Sequence, residues 1–245
     1  MQDDPVPTDL AVARKLIDNG QLAEASNSLR ARLDRDPANA EAWFLMARLA
    51  RLAGQRDMAL RMVATALASQ PNTLEFLGEQ ASILSELGQG ERSAECHRHI
   101  LLSNSGCFES HAALGRPHAG KGELQDAYRH LRAAAQLRPR DAETYNLLGQ
   151  VLLDAGVLDD ARNAFLACLE INPNHIQALL RLGNLHRERQ QTGQAIQFYR
   201  RALALKPEDP YILSNLGNAW LDMGESDEAV VCYRESLRQY PDAPT

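Results

Sequence analysis

The sequence predicts an all-α fold, a solenoid of seven stacked helical hairpins, and three observations carry that expectation. Prolines recur at Pro37, Pro71, Pro139, Pro173, Pro207 and Pro241, always 34 residues or a multiple of 34 apart. Glycines keep the same interval at Gly20, Gly54, Gly88, Gly122, Gly156 and Gly224, and alanines at Ala25, Ala59, Ala127, Ala161, Ala195 and Ala229. Within each interval two stretches, such as AETYNLLGQVLLDA and DDARNAFLACLEI, repeat their apolar residues at helical spacing. A period of this length marks a repeat architecture, in which each unit buries its apolar face against its neighbours.

Taken in order, the units begin at residues 6, 40, 74, 108, 142, 176 and 210, after a short tail over 1–5 and before a remainder at 242–245. The spans are 6–39, 40–73, 74–107, 108–141, 142–175, 176–209 and 210–241. The first two follow the rule: a helix, a glycine that enters the left-handed region freely, a second helix, and a proline that stops it. The third unit departs, with Ser93 and Ser105 where alanine and proline are expected and a turn-like SNSGC at its end. Pro117 then falls inside the first helix of the fourth unit, where a proline costs roughly 3 kcal/mol. A tolerated distortion and a hinge over 103–120, dividing units 1–3 from 4–7, are the two readings of this break. The fifth unit is the most regular, the sixth replaces the turn glycine by Gln190, and the seventh restores it at Gly224. Small residues of the first helices (Ala47, Gly115, Gly149, Gly183, Gly217) are expected to oppose the alanine series and bring helix axes together. Trp43, Tyr145, Phe165, Tyr199 and Tyr233 are expected to fill the space between helices.

These residues resemble the tetratricopeptide repeat family. Residues 142–175 supply its pattern as Tyr145, Leu148, Gly149, Gly156, Ala161, Phe165 and Pro173, and residues 210–241 as Leu216, Gly217, Gly224, Ala229, Tyr233 and Pro241. The resemblance implies a right-handed superhelix with a concave groove lined by first helices. It places Phe44, Arg48, Arg51, Glu79, Arg116, Asn146, Gln150, Arg181, Asn184, Arg187, Tyr211, Asn215 and Asn218 on that groove. The Lys, Asn and Arg set that clamps acidic chaperone tails in some family members is not reproduced by any three consecutive units. The arrays of O-linked N-acetylglucosamine transferases carry asparagines that hold a peptide backbone. Here only Asn215 occupies that slot, with Asn146, Asn184 and Asn218 a turn or less away. Asn146, Arg181, Asn184, Asn215 and Asn218 are therefore expected either to bind an extended polypeptide or to be solvated amides on a polar wall.

Composition limits the alternatives. A net charge of -6 disfavours nucleic acid, because phosphate binding needs a basic face. No apolar run reaches spanning length, so a membrane role is not expected, and the four separated cysteines suit a reduced, cytoplasmic protein. No phosphate loop, dinucleotide fingerprint or HExxH zinc motif occurs, and Cys96, His97 and His99 point in differing directions on a helix. No cofactor, metal or enzymatic activity is therefore expected. From the second unit onward net charge alternates in sign between neighbours, which favours correct stacking over slipped registers.

The reading that follows is a protein-interaction scaffold whose groove binds a partner polypeptide. The sequence closes two residues into what would be an eighth unit, leaving a face that repeat arrays otherwise cap. One alternative is therefore the partner-recruiting N-terminal arm of a larger bacterial glycosyltransferase or sulfotransferase, whose arrays the seventh unit resembles. The other is a self-assembling array, a homo-oligomer built through that end.

Overall fold

A computed structural model describes residues 9–238. Pro241, the tail over 1–5 and the C-terminal 242–245 lie outside the described residues. Among these residues there are fourteen α-helices and no strand. They are α1 (Leu10–Asp18) and α2 (Leu22–Arg35), α3 (Ala40–Leu52) and α4 (Arg56–Ser69), α5 (Leu74–Glu86) and α6 (Gly90–Ser103). There follow α7 (Phe108–Gly120) and α8 (Leu124–Leu137), α9 (Ala142–Asp154) and α10 (Leu158–Ile171), α11 (Ile176–Glu188) and α12 (Thr192–Leu205), and α13 (Pro210–Asp222) and α14 (Ser226–Arg238).

The punctuation residues act as their chemistry dictates. Each glycine of the 34-residue series has positive φ, between 73° and 82°, and closes the turn between paired helices. Gln190, the one substitute, takes the same conformation at φ 60°. Asp9, Asn39, Asp141 and Asp209 cap first helices by accepting backbone N–H groups with their side chains. Asp159 and Asp160 sit in the first turn of α10, and Asp227 and Glu228 in that of α14, where they complement the helix dipole.

The irregular third unit finds substitutes for its missing residues. Ser93 is buried but donates to the Ala81 carbonyl at 2.8 Å. Asn104 ends α6 and its Oδ1 accepts from Gly106 N–H at 3.1 Å, as Asn172 does from Asn174 beside Pro173, so the turn forms without the proline. Pro117 does not end α7, which continues through it to Gly120. The chain separates into two compact units, Met1–Ser110 and His111–Thr245, and the boundary falls within the 103–120 segment.

In the first unit the core runs through Ala25, Leu29, Leu45, Ala59, Val63 and Ile83, with Phe44 stacked on Phe76 at 4.7 Å between ring centroids. In the second it runs through Ala161, Phe165, Cys168, Leu179, Leu182, Tyr199 and Ile212. The alanine series is buried throughout, but the small residues of the first helices face a different partner from the one expected. A Cβ on Gly149 would lie 2.7 Å from the Phe165 ring, one on Gly183 2.4 Å from Tyr199, and one on Gly217 2.8 Å from Tyr233. Glycine here receives a flat ring, a pairing of small with large that fixes the spacing of each hairpin. Burial pushes the thiols of Cys96, Cys168 and Cys232 up, Cys168 to about 11, so they are inert core residues.

Candidate polypeptide-binding face

The first helices of the first unit present charges that are already committed to one another. Arg14 on α1 reaches Glu41 at 3.2 Å and Glu75 at 2.7 Å, tying three hairpins together. Arg51 contacts Glu79 at 2.6 Å and Glu86 at 3.0 Å, while Arg56 adds a second contact to Glu86 at 2.9 Å. Arg56 first and Arg51 second hold the Glu86 carboxyl below the usual carboxylate range. Arg48 is paired with Asp18 at 3.7 Å. Only the Arg51 and Arg56 pairs to Glu79 and Glu86 join oppositely charged neighbouring hairpins, the second at +2 and the third at -3. Each exposed pair contributes little, but Glu79, only 10% exposed, makes the Arg51 link the strongest of the set.

Phe44 is corrected by the structure. It is 1% exposed, stacked on Phe76 and covered by the Arg14 guanidinium 5.9 Å from its ring centre, so it is core and not groove lining. Arg48 and Arg51 on α3 and Glu79 on α5 are engaged in ion pairs that cross-link neighbouring hairpins.

In the second unit the corresponding face is different. Tyr199 donates its hydroxyl to Asn184 Oδ1 at 2.6 Å, and Tyr233 does the same to Asn218 Oδ1 at 2.7 Å. With the carbonyl oxygen engaged, each amide is oriented and presents its Nδ2 donor. Burial pushes the Tyr199 hydroxyl up to about 12, so it stays a donor. Asn215 is 9% exposed and its Nδ2 has no partner among the described residues. A buried donor left unpaired costs about 1–3 kcal/mol, which the fold alone gives no reason to bear. Arg181, half-buried on α11, makes no ion pair among the described residues, while Arg187 is held by Asp222 at 3.3 Å. Asn146 is half-buried on α9, and Gln150 is turned onto Asp154 at 2.6 Å. Tyr211 is 58% exposed on α13, and Arg116 is exposed on α7.

Sequence reasoning missed the two tyrosine–asparagine locks. Their signal was present, since both pairs are separated by 15 residues and related by one 34-residue step. At the same places in the fifth unit stand Gln150 and Phe165, which has no hydroxyl, and no such lock forms there. The residues considered for a metal have other partners: Cys96 donates to Gln80, His97 contacts Ser110 and His99 contacts Asn72.

A second polar cluster joins α7 to α8. Nδ1 of His111 and Nδ1 of His130 are 3.0 Å apart, His118 stacks on His130, and Glu123 bonds His118. Burial, with Arg129, His111 and His118 adding repulsion against a weaker pull from Asp126, lowers His130 to about 4. Its folded value lies below the ordinary 6.5, so this contribution to stability is complete above pH 6.5 and fades as pH falls toward 4. Lowering pH from 7 to 4.5 should therefore reduce the melting temperature more in the natural chain than in His130→Leu. Parallel pH profiles of the two would count against a neutral buried His130.

Comparison with known proteins follows the same lines. Tetratricopeptide repeat models match residues 16–83, 118–183 and 210–243, and a TPR repeat model matches 183–224. No curated protein matches the sequence. Among solved structures, the C-terminal part of a TPR repeat-containing protein from Cytophaga hutchinsonii is 17% identical, with 96% of each chain covered and a TM-score of 0.74. YrrB, described as a TPR protein with an unusual peptide-binding site, is 18% identical over 76% of this chain and 95% of its own, with a TM-score of 0.67. MamA from Desulfovibrio magneticus RS-1 is 20% identical over 69% and 95%, at a TM-score of 0.63. At these identities the likeness is one of fold. Among the described residues no helix is long and apolar enough to cross a membrane.

Proposed function

Because this chain belongs to the tetratricopeptide repeat family, we propose that it is an interaction scaffold that holds an extended polypeptide against the first helices of its second unit. The observation that carries this reading is Asn215, whose buried Nδ2 donor lacks a partner on a face where Asn184 and Asn218 are also fixed as donors. A polypeptide in extended form offers a carbonyl acceptor at every residue and suits such a row. Arg181 adds a cation next to it in the preceding unit. The peptide-binding site named for YrrB, which has the same fold, supports this kind of role.

The cross-linked face of the first unit has less to offer, since Arg14, Arg48 and Arg51 would have to leave their carboxylates before binding a ligand. The proposal therefore separates the two units by their chemistry. A dodecamer peptide selected on the chain from a random display library should lose at least tenfold in affinity in the double variant Arg181→Ala, Asn215→Ala. Unchanged affinity in a variant that melts normally would remove these residues from the binding face. The same change at Arg48 should leave affinity within about twofold.

A further inference from the structure

The exposed side of α14 departs from the pattern of the other second helices. Val231 is 66% exposed, and at 34-residue steps before it stand Asn27, Arg61, Glu95, Arg129, Asn163 and Gln197, all polar and all exposed. Each of those six lies in a hairpin that has another hairpin after it, so continuing the stack does not cover this position. Valine also forms helix less readily than Arg, Glu or Gln, so the α-helix itself gives no reason for it. Val230, 43% exposed, and Leu237, 62% exposed, enlarge the apolar surface, whereas their counterparts Ile196 and Leu203 pack into the core.

The charges on the same side have an order of their own. Asp227, Val230, Arg234 and Leu237 follow one another at steps of three, four and three residues, which sets them on one helical stripe beside Val231. All are exposed, and neither Asp227 nor Arg234 makes an ion pair among the described residues. Acid, valine pair and base in that order are complementary to their own reverse. In an antiparallel pair of α14 helices with Val230 of one copy opposite Val231 of the other, two-fold symmetry sets Asp227 of each copy opposite Arg234 of the other. Two carboxylate–guanidinium pairs then flank four valines. Leu237 of each copy falls level with Gly224 of the other, where Met223 is also exposed. A parallel pair would instead bring like charges together and align the two helix dipoles unfavourably.

We propose that the exposed side of α14 is a dimer contact whose partner is a second copy of this chain, docked antiparallel about Val230 and Val231. The valines and Leu237 supply the apolar contact, and Asp227 with Arg234 sets direction and register, the part that complementary charges play at interfaces. A single pair of helices buries less than a standard interface, so the dimer forms reversibly as concentration rises. This contact is independent of the polypeptide face, whose asparagines lie on α11 and α13.

Size-exclusion chromatography with light scattering, run on the full chain over a hundredfold range of concentration, tests it. The mass should rise from that of one chain and level off at that of two. Val231→Arg, which places on α14 the residue that the second and fourth hairpins carry there, should weaken association at least tenfold without lowering the melting temperature. Asp227→Arg and Arg234→Asp should each abolish self-association, and an equimolar mixture of these two variants should dimerise again, because each then meets its opposite. A mass of one chain throughout would overturn the proposal, as would growth beyond two chains or association that Val231→Arg leaves intact. A mixture of the two charge variants that stays monomeric would exclude the antiparallel register.

Discussion

Replacing Phe44 by alanine should destabilise the first unit by about 3–5 kcal/mol, the cost of emptying a fully buried aromatic site. Phe44 is stacked on Phe76 and roofed by Arg14, whose other contacts, Glu41 and Glu75, fix the roof in place. Truncation would leave a void between three hairpins, and rigid neighbours such as Leu45 and Ile83 are themselves fully buried. Chemical denaturation of the chain followed by circular dichroism measures the loss. Were Phe44 instead a surface contact for a ligand, the change would stay within about 0.5 kcal/mol and only affinity would suffer.

Two glycine-to-alanine changes on first helices should move stability in opposite directions. At Gly183 the new methyl would sit 2.4 Å from the Tyr199 ring, which is fully buried and held at its far end by Asn184. The ring has nowhere to retreat without breaking that hydrogen bond, so the change should cost about 1–3 kcal/mol, the usual range for overpacking. At Gly78 the same methyl enters open space and removes a helix glycine, so it should add about 0.5–1 kcal/mol. Melting temperatures of the two variants beside the natural chain decide the matter. A loss at Gly78 or a neutral result at Gly183 would contradict the packing described here.

The architecture was legible because its determinants are local and periodic. A glycine with positive φ or a proline past a helix end acts through its own backbone, and 34-residue spacing repeats the signal until it cannot be mistaken. Even an exception keeps the pattern: Gln190 adopts the glycine conformation. The binding face was less legible, because the state of a polar side chain depends on partners in other hairpins. Arg51 and Arg181 look alike in sequence, yet one is bound to Glu79 and Glu86 and the other makes no ion pair among the described residues. Phe44 and Ser214 occupy equivalent places, but only Phe44 has Phe76 and Arg14 to bury it. The partner of the small residues was misread for a related reason: both the alanines and the rings of α10, α12 and α14 recur every 34 residues, and periodicity alone does not say which of them meets Gly149, Gly183 and Gly217.

The central claim is that oriented amide donors on α11 and α13 hold an extended polypeptide. Side-chain amide resonances report on it directly. Titrating ¹⁵N-labelled chain with the selected dodecamer should move the Nδ2 signals of Asn184, Asn215 and Asn218 along one common saturation curve, with Asn215 moving furthest because its donor gains a first partner. If those three signals stay fixed while amides on α10, α12 and α14 respond, the polypeptide lies on the other face and the account is wrong.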